Sequence, residues 1–572
     1  MSLAFWLNSA WMANCSGELR AFRRASRGVE AAQAAVLREI VVANRDTDFG
    51  RAHGFRSIAS PREFQSRVPL STYESYRDAI ARIAAGGPNV LTHAPVRLLE
   101  PTSGSSGGEK WIPYTDGLRR QFQRGIAAWI ADLFRHRPAV RRGRAYCSIS
   151  PALGRPRRAA GGIPIGFDDD AAYLGGFEQW ALRRLLVAPA SLARCDDLEL
   201  FRYRTLLYLL AADDLALISI WNPTFLTALL RSLPDWLDKL CFDLGHGSSA
   251  KCSQGVAANP RRADAVNAIG GSSASTPEML REIWPRLALI SCWADAAAAD
   301  GVGEIRQLFP HVEIQPKGLL STEGIVSIPL MDSPAPALAV RSHFFEFAEA
   351  ETAIDVEATA PIDSRHLRLA HEIDRGGRYR IVLTTAGGLY RYCLGDEVQI
   401  VGHSGECPLL RFLGRGNRVS DLVGEKLSEP QVRLSVDAVL AQCRLAARFA
   451  MLTPIAGRPA RYRLYLQLAE HAELEPSVYA ALQRSLEAGL AKNPHYRYAI
   501  GLGQLAPVEI QLLDASGEPA WHVYQQRCLA RGQKVGNIKP VALDAWDGWP
   551  QAFAPLEIDA PLPTSANKSI SP

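Results

Sequence analysis

The chain has 572 residues, 47% of them hydrophobic and 22% charged, with a formal net charge of +5, which is ordinary for a soluble globular protein of two to four domains. No dense basic run accompanies that charge, so an electrostatic footprint for nucleic acid is lacking, and RPRRAA (155–160) reads as a short solvated cluster. Nor is there a run of 18 apolar residues, because LLYLLAADDLALISIW is broken by Asp213 and Asp214.

The N-terminal stretch has no basic segment ahead of its apolar residues and is interrupted by Asn8 and Asn14, so no targeting leader is expected. Ten cysteines are scattered without a C-x-x-C pair or a His/Cys cluster at zinc spacing. Reduced thiols, a cytoplasmic location and no membrane partner are the expectation. The first hundred residues show helical spacing, clearest in VEAAQAAVLREIVVA (29–43). Next come strand-like VRLLE, a loop TSGSSGGEK (102–110), a short extended link and a helix. Leu118, Phe122, Ile126, Ile130, Leu133 and Phe134 form the helix's apolar stripe, and Thr115 is placed to cap it.

From about 280 to 402 helices and strands alternate. HVEIQPKGLLSTEGIVSIPL has strand character on both sides of a polar hinge at STEG. RYRIVLTTAGGLYRYCLGDEVQIVG reads as two strands around Gly387-Gly388, with a third after a turn at Gly395-Asp396. In FLGRGNRVSDLVGEKLSEPQ glycines and charges replace the apolar period, which marks a domain junction. Beyond it a helix after Ser428, strand RYRLYLQLA, a helix from about 475, strand VEIQLL and a helix near 518–530 are expected. The Pro/Ser-rich tail from 555 is expected to be disordered. The three expected parts are residues 1–418, 419–554 and 555–572.

Three short segments carry chemistry. The loop before Lys110 is not a Walker A, which needs G-x-x-x-x-G-K-[ST] running into a helix. It is either a plain turn or a cradle of hydroxyls and backbone donors for phosphate. Glu323 in STEG lies either on a solvated edge or beside Mg²⁺, a hard cation served by one or two carboxylates plus phosphate oxygens. Asp396 is either a turn former or an acceptor for a ribose diol.

Taken in order, the hydroxyl/Gly loop, T-E-G, Y-R-Y-x-x-G-D, then G-R and G-E-K-x-x-E, resemble the adenylate-forming superfamily. More closely, the chain resembles the Gretchen Hagen (auxin-responsive promoter) family of acyl acid amido synthetases. DFGRAHGFRSIASPREFQSRVPLSTYESYRDAI (48–80), IPYT (112–115), KGLLSTEGIVSIPL (317–330) and HFFEFAE (343–349) carry that resemblance. It implies an α/β fold: a large N-terminal adenylate-forming domain, with β-α-β subdomains and a β-barrel-like part, and a small mobile α+β C-terminal domain. It also implies ATP and Mg²⁺ as cofactors, a small carboxylic acid and an amino acid as substrates, and a monomer.

Residue by residue, the resemblance matches Ser103, Gly104, Ser105, Ser106 and Lys110 to the phosphate loop, with Ser106 among the catalytic groups. Thr322 and Glu323 match the second nucleotide motif, Glu323 being the metal ligand. Tyr390, Arg391 and Asp396 match the third, with Asp396 holding ribose, and Arg415 matches the Arg before the hinge. Ser420, Asp421 and Lys426 fall in the hinge. Lys539 in GQKVGNIKPVAL matches the catalytic lysine better than Lys534, although Val541 stands where members commonly carry Arg; a lysine with no role is the plain alternative. The implied activity is adenylation of an auxin-, jasmonate- or benzoate-like acid, followed by amide formation. Transfer to coenzyme A or a carrier thiol, and a non-catalytic binder of small acids, are the competing readings.

Overall fold

A computed structural model describes residues 2–103, 109–149, 157–166, 176–195, 197–248, 253–269, 275–295, 299–350, 367–415, 419–420, 422–423, 425, 427–457, 459–469, 474–501, 503–531, 533 and 538–558. The chain divides into two compact units, Met1–Leu394 with Val398–Phe412, and Gly395–Glu397 with Leu413–Pro572.

The first unit opens with helices, as the periodicity requires. Leu3–Ala25 buries Leu7, Trp11, Cys15, Leu19 and Phe22 on one face, and Val29–Asn44 buries Val36, Leu37, Ile40 and Val41. The link after the Gly/Ser loop is a strand. Val96–Ser103 and Glu109–Thr115 pair antiparallel from Val96↔Thr115 to Ser103↔Glu109, so the loop joins the two arms of a hairpin. Thr115 ends that hairpin and caps helix Asp116–His136, its hydroxyl accepting from the Leu118 N–H (3.1 Å). Leu118, Phe122, Ile130, Leu133 and Phe134 of the expected stripe are buried.

Strands Arg144–Cys147, Leu215–Ser219, Leu289–Cys292 and Glu313–Pro316 form a parallel sheet in chain order. Parallel neighbours need long crossovers, and helices such as Pro223–Arg231, Leu233–His246 and Ala299–Leu308 supply them. Every residue of Leu215–Ser219 is buried, as expected of a strand covered on both faces. A seven-stranded sheet follows, built on Phe344–Glu349, Arg378–Thr384, Tyr392–Ser404 and Cys407–Arg415.

One sequence expectation fails here. Gly395-Asp396 is not a turn between strands: Tyr392–Ser404 runs straight through it. Gly395 takes φ +81 inside that strand, a local kink that only glycine takes without strain, rather than a reversal of direction.

The second unit is a four-stranded sheet, Ala447–Ile455, Arg461–Leu468, Glu509–Leu513 and Glu557–Ile558, packed with helices Glu429–Gln442 and Pro476–Leu490. The strand Ala447–Ile455 and the helix Pro494–Gly501 were not expected. The boundary of the tail also needs correction. Leu513 pairs with Glu557 and Leu512 with Ile558, so residues 557–558 form an edge strand of the domain. The expectation of reduced thiols holds at the eight described free cysteines and fails at Cys195, which is disulfide-bonded. No described helix is long and apolar enough to cross a membrane.

Candidate active site

The second motif folds as a tight reversal. Ser321 N–H donates to the Gly324 carbonyl (3.0 Å), and Leu320 and Ile325 form an antiparallel bridge on either side. Leu319 N–H donates to Ser327 Oγ (2.9 Å), closing the base of the turn. Thr322 and Glu323 therefore occupy its tip, half-buried.

Two side chains, Tyr114 and His343, bond this turn, and a third, Gln121, holds the His343 ring. Tyr114, in the hairpin arm that follows the Gly/Ser loop, donates its hydroxyl to the Thr322 carbonyl (2.9 Å). The Ile325 N–H donates to His343 Nε2 (3.1 Å), so Nδ1 carries the ring proton and donates to Gln121 Oε1 (3.0 Å). His343 is wholly buried, and burial, aided by the Arg124 charge, lowers its pKa to about 3. It is a neutral imidazole at physiological pH. Gly324 leaves the room that the ring fills: a Cβ there would lie 2.8 Å from His343 Nε2.

The same helix start grips the third motif. Gln121 Oε1 also accepts from the Ala386 N–H (2.9 Å), and Thr115 donates its hydroxyl to the Ala386 carbonyl (2.8 Å). Ala386 lies in the turn that ends strand Arg378–Thr384 and leads to Tyr390. The end of this hairpin arm and the first two turns of the helix thus tie together the hairpin after the phosphate loop, the Glu323 turn and the approach to the Tyr390-Asp396 segment.

Two expected nucleotide contacts need correction. Tyr390 is fully buried, stacks on Phe49 with ring centroids 4.5 Å apart, and donates its hydroxyl to the Leu91 carbonyl (2.6 Å). Arg391, at φ 48, points into the core; it pairs with Glu346 (3.0 Å) and donates to the carbonyls of Gln65 (2.8 Å) and Val68 (2.6 Å). Both side chains brace the motif because every polar atom taken into the core needs a partner. Tyr76 completes the brace, its hydroxyl bonding both the N–H and the carbonyl of Tyr390 (2.9 and 2.7 Å).

The other expected residues stand as follows. Lys110 is half-buried, its ammonium 5.7 Å from the centre of the Tyr73 ring. Ser103 ends its strand, whereas Gly104, Ser105 and Ser106 lie outside the described residues. Asp396 is buried at 2% exposure. Arg415 ends strand Cys407–Arg415, and its side chain lies outside the described atoms. Lys539 is half-buried in a segment anchored to the C-terminal sheet by Ile538, Val541 and the Leu452 N–H to Ala542 carbonyl bond (2.8 Å). Asp421, Lys426 and Lys534 lie outside the described residues.

In the hinge stretch Ser420 is buried and bonded to the Tyr462 hydroxyl (2.8 Å), which also bonds Glu425. Glu425 accepts from the N–H groups of Leu422 and Val423 (2.8 Å each). No group of three or more His, Cys, Asp or Glu residues suited to a metal occurs among the described residues. A nucleotide-bound Mg²⁺ does not need one, since it takes one or two carboxylates and fills the rest with phosphate oxygens and water. A single half-buried carboxylate at a turn tip, Glu323, fits that requirement.

Gln121, His343, Glu346, Gln65 and Tyr76 were not singled out from the sequence. For His343 and Glu346 the signal was polarity inside an apolar run, HFFEFAE, whereas Gln121, Gln65 and Tyr76 sit among polar neighbours and carry no such mark.

A large mixed α/β unit followed by a small α+β unit, with these motifs in this order, is the adenylate-forming class of fold. The likeness to solved structures agrees: AtGH3.15 acyl acid amido synthetase in complex with 2,4-DB superposes with a TM-score of 0.79 at 21% identity, covering 96% of this chain and 98% of that one. Profiles of the GH3 family N-terminal, central and C-terminal domains match residues 18–314, 337–415 and 432–544 in turn. The chain belongs to the GH3 family of acyl acid amido synthetases, and it is a ligase that forms an amide bond through an acyl adenylate. Among its relatives, indole-3-acetic acid-amido synthetase GH3.3 of Arabidopsis thaliana is 23% identical over 561 residues, 91% of this chain and 90% of the relative. Probable indole-3-acetic acid-amido synthetase GH3.4 of Oryza sativa subsp. japonica is 25% identical over 567 residues, 91% and 87% respectively.

Proposed function

We propose that the enzyme uses ATP and Mg²⁺ to adenylate a small carboxylic acid, of the auxin-, jasmonate- or benzoate-like kind, and passes the acyl group to the amine of an amino acid. The observation that carries this reading is the family match in all three parts of the chain at once. The relatives named for indole-3-acetic acid share about a quarter of their residues with this chain, which supports the reaction more than any one acid.

A carboxylate is a poor electrophile, and its attack on the α-phosphate brings two anions together, so fixed positive charge and dipoles must offset the repulsion. In this reading Ser103, Gly104, Ser105, Ser106 and Lys110 hold the departing pyrophosphate. Thr322 and Glu323 stand beside the nucleotide, and Glu323 holds Mg²⁺, which when bound screens phosphate charge. Asp396 accepts hydrogen bonds from the ribose, Arg415 approaches the phosphates, and Lys539 stabilises charge on the α-phosphate. Tyr390 and Arg391 act only by bracing.

A panel of acids assayed for ATP–pyrophosphate exchange, then paired with all amino acids and read for amide product by mass spectrometry, tests the proposal. Acyl transfer to coenzyme A but to no amino acid would refute it.

A further inference from the structure

Amide formation leaves one proton without an acceptor. At neutral pH an amino acid carries its amine mostly as an ammonium, which has no lone pair with which to attack an acyl adenylate, so a group beside the reacting centre must take a proton from it. The motif carboxylates have other tasks in the reading above, Glu323 beside Mg²⁺ and Asp396 beside the ribose.

A third carboxylate stands at the carboxyl end of the parallel sheet, where open sheets of this kind take their ligands. Strand Leu289–Cys292 is followed by Trp293, Ala294 and Asp295. The chain is held at that edge on both sides: the Trp293 N–H donates to the Trp221 carbonyl (2.9 Å), and the Lys317 N–H donates to the Cys292 carbonyl (2.8 Å). The STEG turn begins four residues after Lys317. From the other side, the Phe412 N–H donates to Asp295 Oδ2 (3.2 Å), and Phe412 belongs to the same compact unit, three residues before Arg415. Asp295 thus stands between the approach to the Glu323 turn and the strand that leads to Arg415.

The carboxyl is held by one backbone N–H and is otherwise uncompensated. Among the described residues no lysine, arginine or histidine forms an ion pair with Asp295, and its other oxygen, Oδ1, accepts no hydrogen bond. The residue is half-buried, so it is enclosed without being sealed in the core. Burial raises its pKa more than the Phe412 N–H and the Arg411 charge lower it. Enclosing a carboxylate without a cation is costly, and a cationic ligand removes that cost. A carboxyl perturbed in this way at a ligand-binding edge suits a proton acceptor.

Resting on the amino acid acceptor reading above, we infer that Asp295 receives the ammonium of the incoming amino acid and takes its proton. One N–H proton passes to the Asp295 carboxylate, and the freed lone pair forms the C–N bond to the acyl carbon. The acyl C–O bond to phosphate breaks, its electron pair leaves on AMP, and the second proton lost by nitrogen passes to water.

Asp295→Asn keeps the shape and a carbonyl oxygen for the Phe412 N–H but cannot take a proton. Three readouts on the full chain go together: pyrophosphate exchange with the best acid, hydroxamate formed with hydroxylamine, which is uncharged at pH 7.5, and amide formed with the best amino acid. The expected result is exchange and hydroxamate within about threefold of wild type, and amide turnover lowered about a hundredfold or more. Amide turnover at the wild-type level overturns the inference, since a carboxyl that only braced Phe412 is replaced by Asn without loss. An equal fall in hydroxamate also overturns it, because hydroxylamine needs no proton acceptor, and so does a loss of exchange, which places Asp295 with the nucleotide or the fold instead. The reading beneath fails separately, in the wild type alone. Exchange without amide from any amino acid removes the acceptor and this inference with it, whereas amide formation indifferent to Asp295 leaves that reading standing and removes this one.

Discussion

His343 shows how a buried residue can set the geometry of an exposed one. Its ring links Gln121 to the Ile325 N–H, two residues beyond Glu323. Gly324→Ala would force a Cβ to 2.8 Å from Nε2 and turn the ring aside. The expected outcome is a large loss of pyrophosphate exchange with a much smaller fall in melting temperature; a variant that keeps full exchange would remove the ring from the argument. His343 also predicts a pH effect. Its pKa in the folded protein is about 3, against an ordinary value of 6.5 that the unfolded chain retains. Between these values the unfolded state binds the extra proton, so stability is full above pH 6.5 and falls as pH drops toward 3. Thermal melts of wild type and His343→Gln from pH 7.5 to 4 should show the wild type losing more stability, and parallel slopes would contradict the assignment.

At the scale of elements, strand Phe344–Glu349 and helix Pro61–Arg67 are joined to the Tyr390-Arg391 segment by one buried ion pair. Glu346 is 0% exposed and accepts from Gln65 Nε2 (2.9 Å) as well as from Arg391. Removing one partner of such a pair strands the other charge in the core at a cost of roughly 3–5 kcal/mol. Glu346→Gln should therefore lower the denaturation midpoint strongly while leaving acid selectivity as it was, and a change of acid preference would place Glu346 in the substrate site instead. The Gly/Ser loop, the capped helix and the polar hinge at STEG were legible from spacing and turn chemistry, whereas the antiparallel pairing that makes the loop a hairpin was not. The Gly395 kink was not, because a glycine with positive φ serves a bulge as readily as a turn, and only the partner strands decide which. Strand Ala447–Ile455 was hidden for a similar reason: ARFAMLTPI lacks clean alternation, and its pairing with Arg461–Leu468 selects it.

At the scale of the whole molecule, the lysine of the C-terminal unit carries the sharpest expectation. Lys539→Ala should abolish most pyrophosphate exchange while ATP binding, measured by calorimetry, is retained, whereas Lys534→Ala should leave both unchanged. Reversed results would exchange the two assignments. What the sequence by itself determined was the order of motifs and the helix and strand types around them, because these depend on local spacing and on residue chemistry along the chain; the reaction came from the family those motifs resemble. Only the tertiary structure decided that Tyr390 and Arg391 turn inward, that Gln121 and His343 clamp the Glu323 turn, and that Asp295 meets the Phe412 N–H. Whether a polar side chain faces a ligand or a neighbouring backbone depends on partners far along the chain, His343 from Gln121 and Arg391 from Gln65 among them, and no local pattern records that.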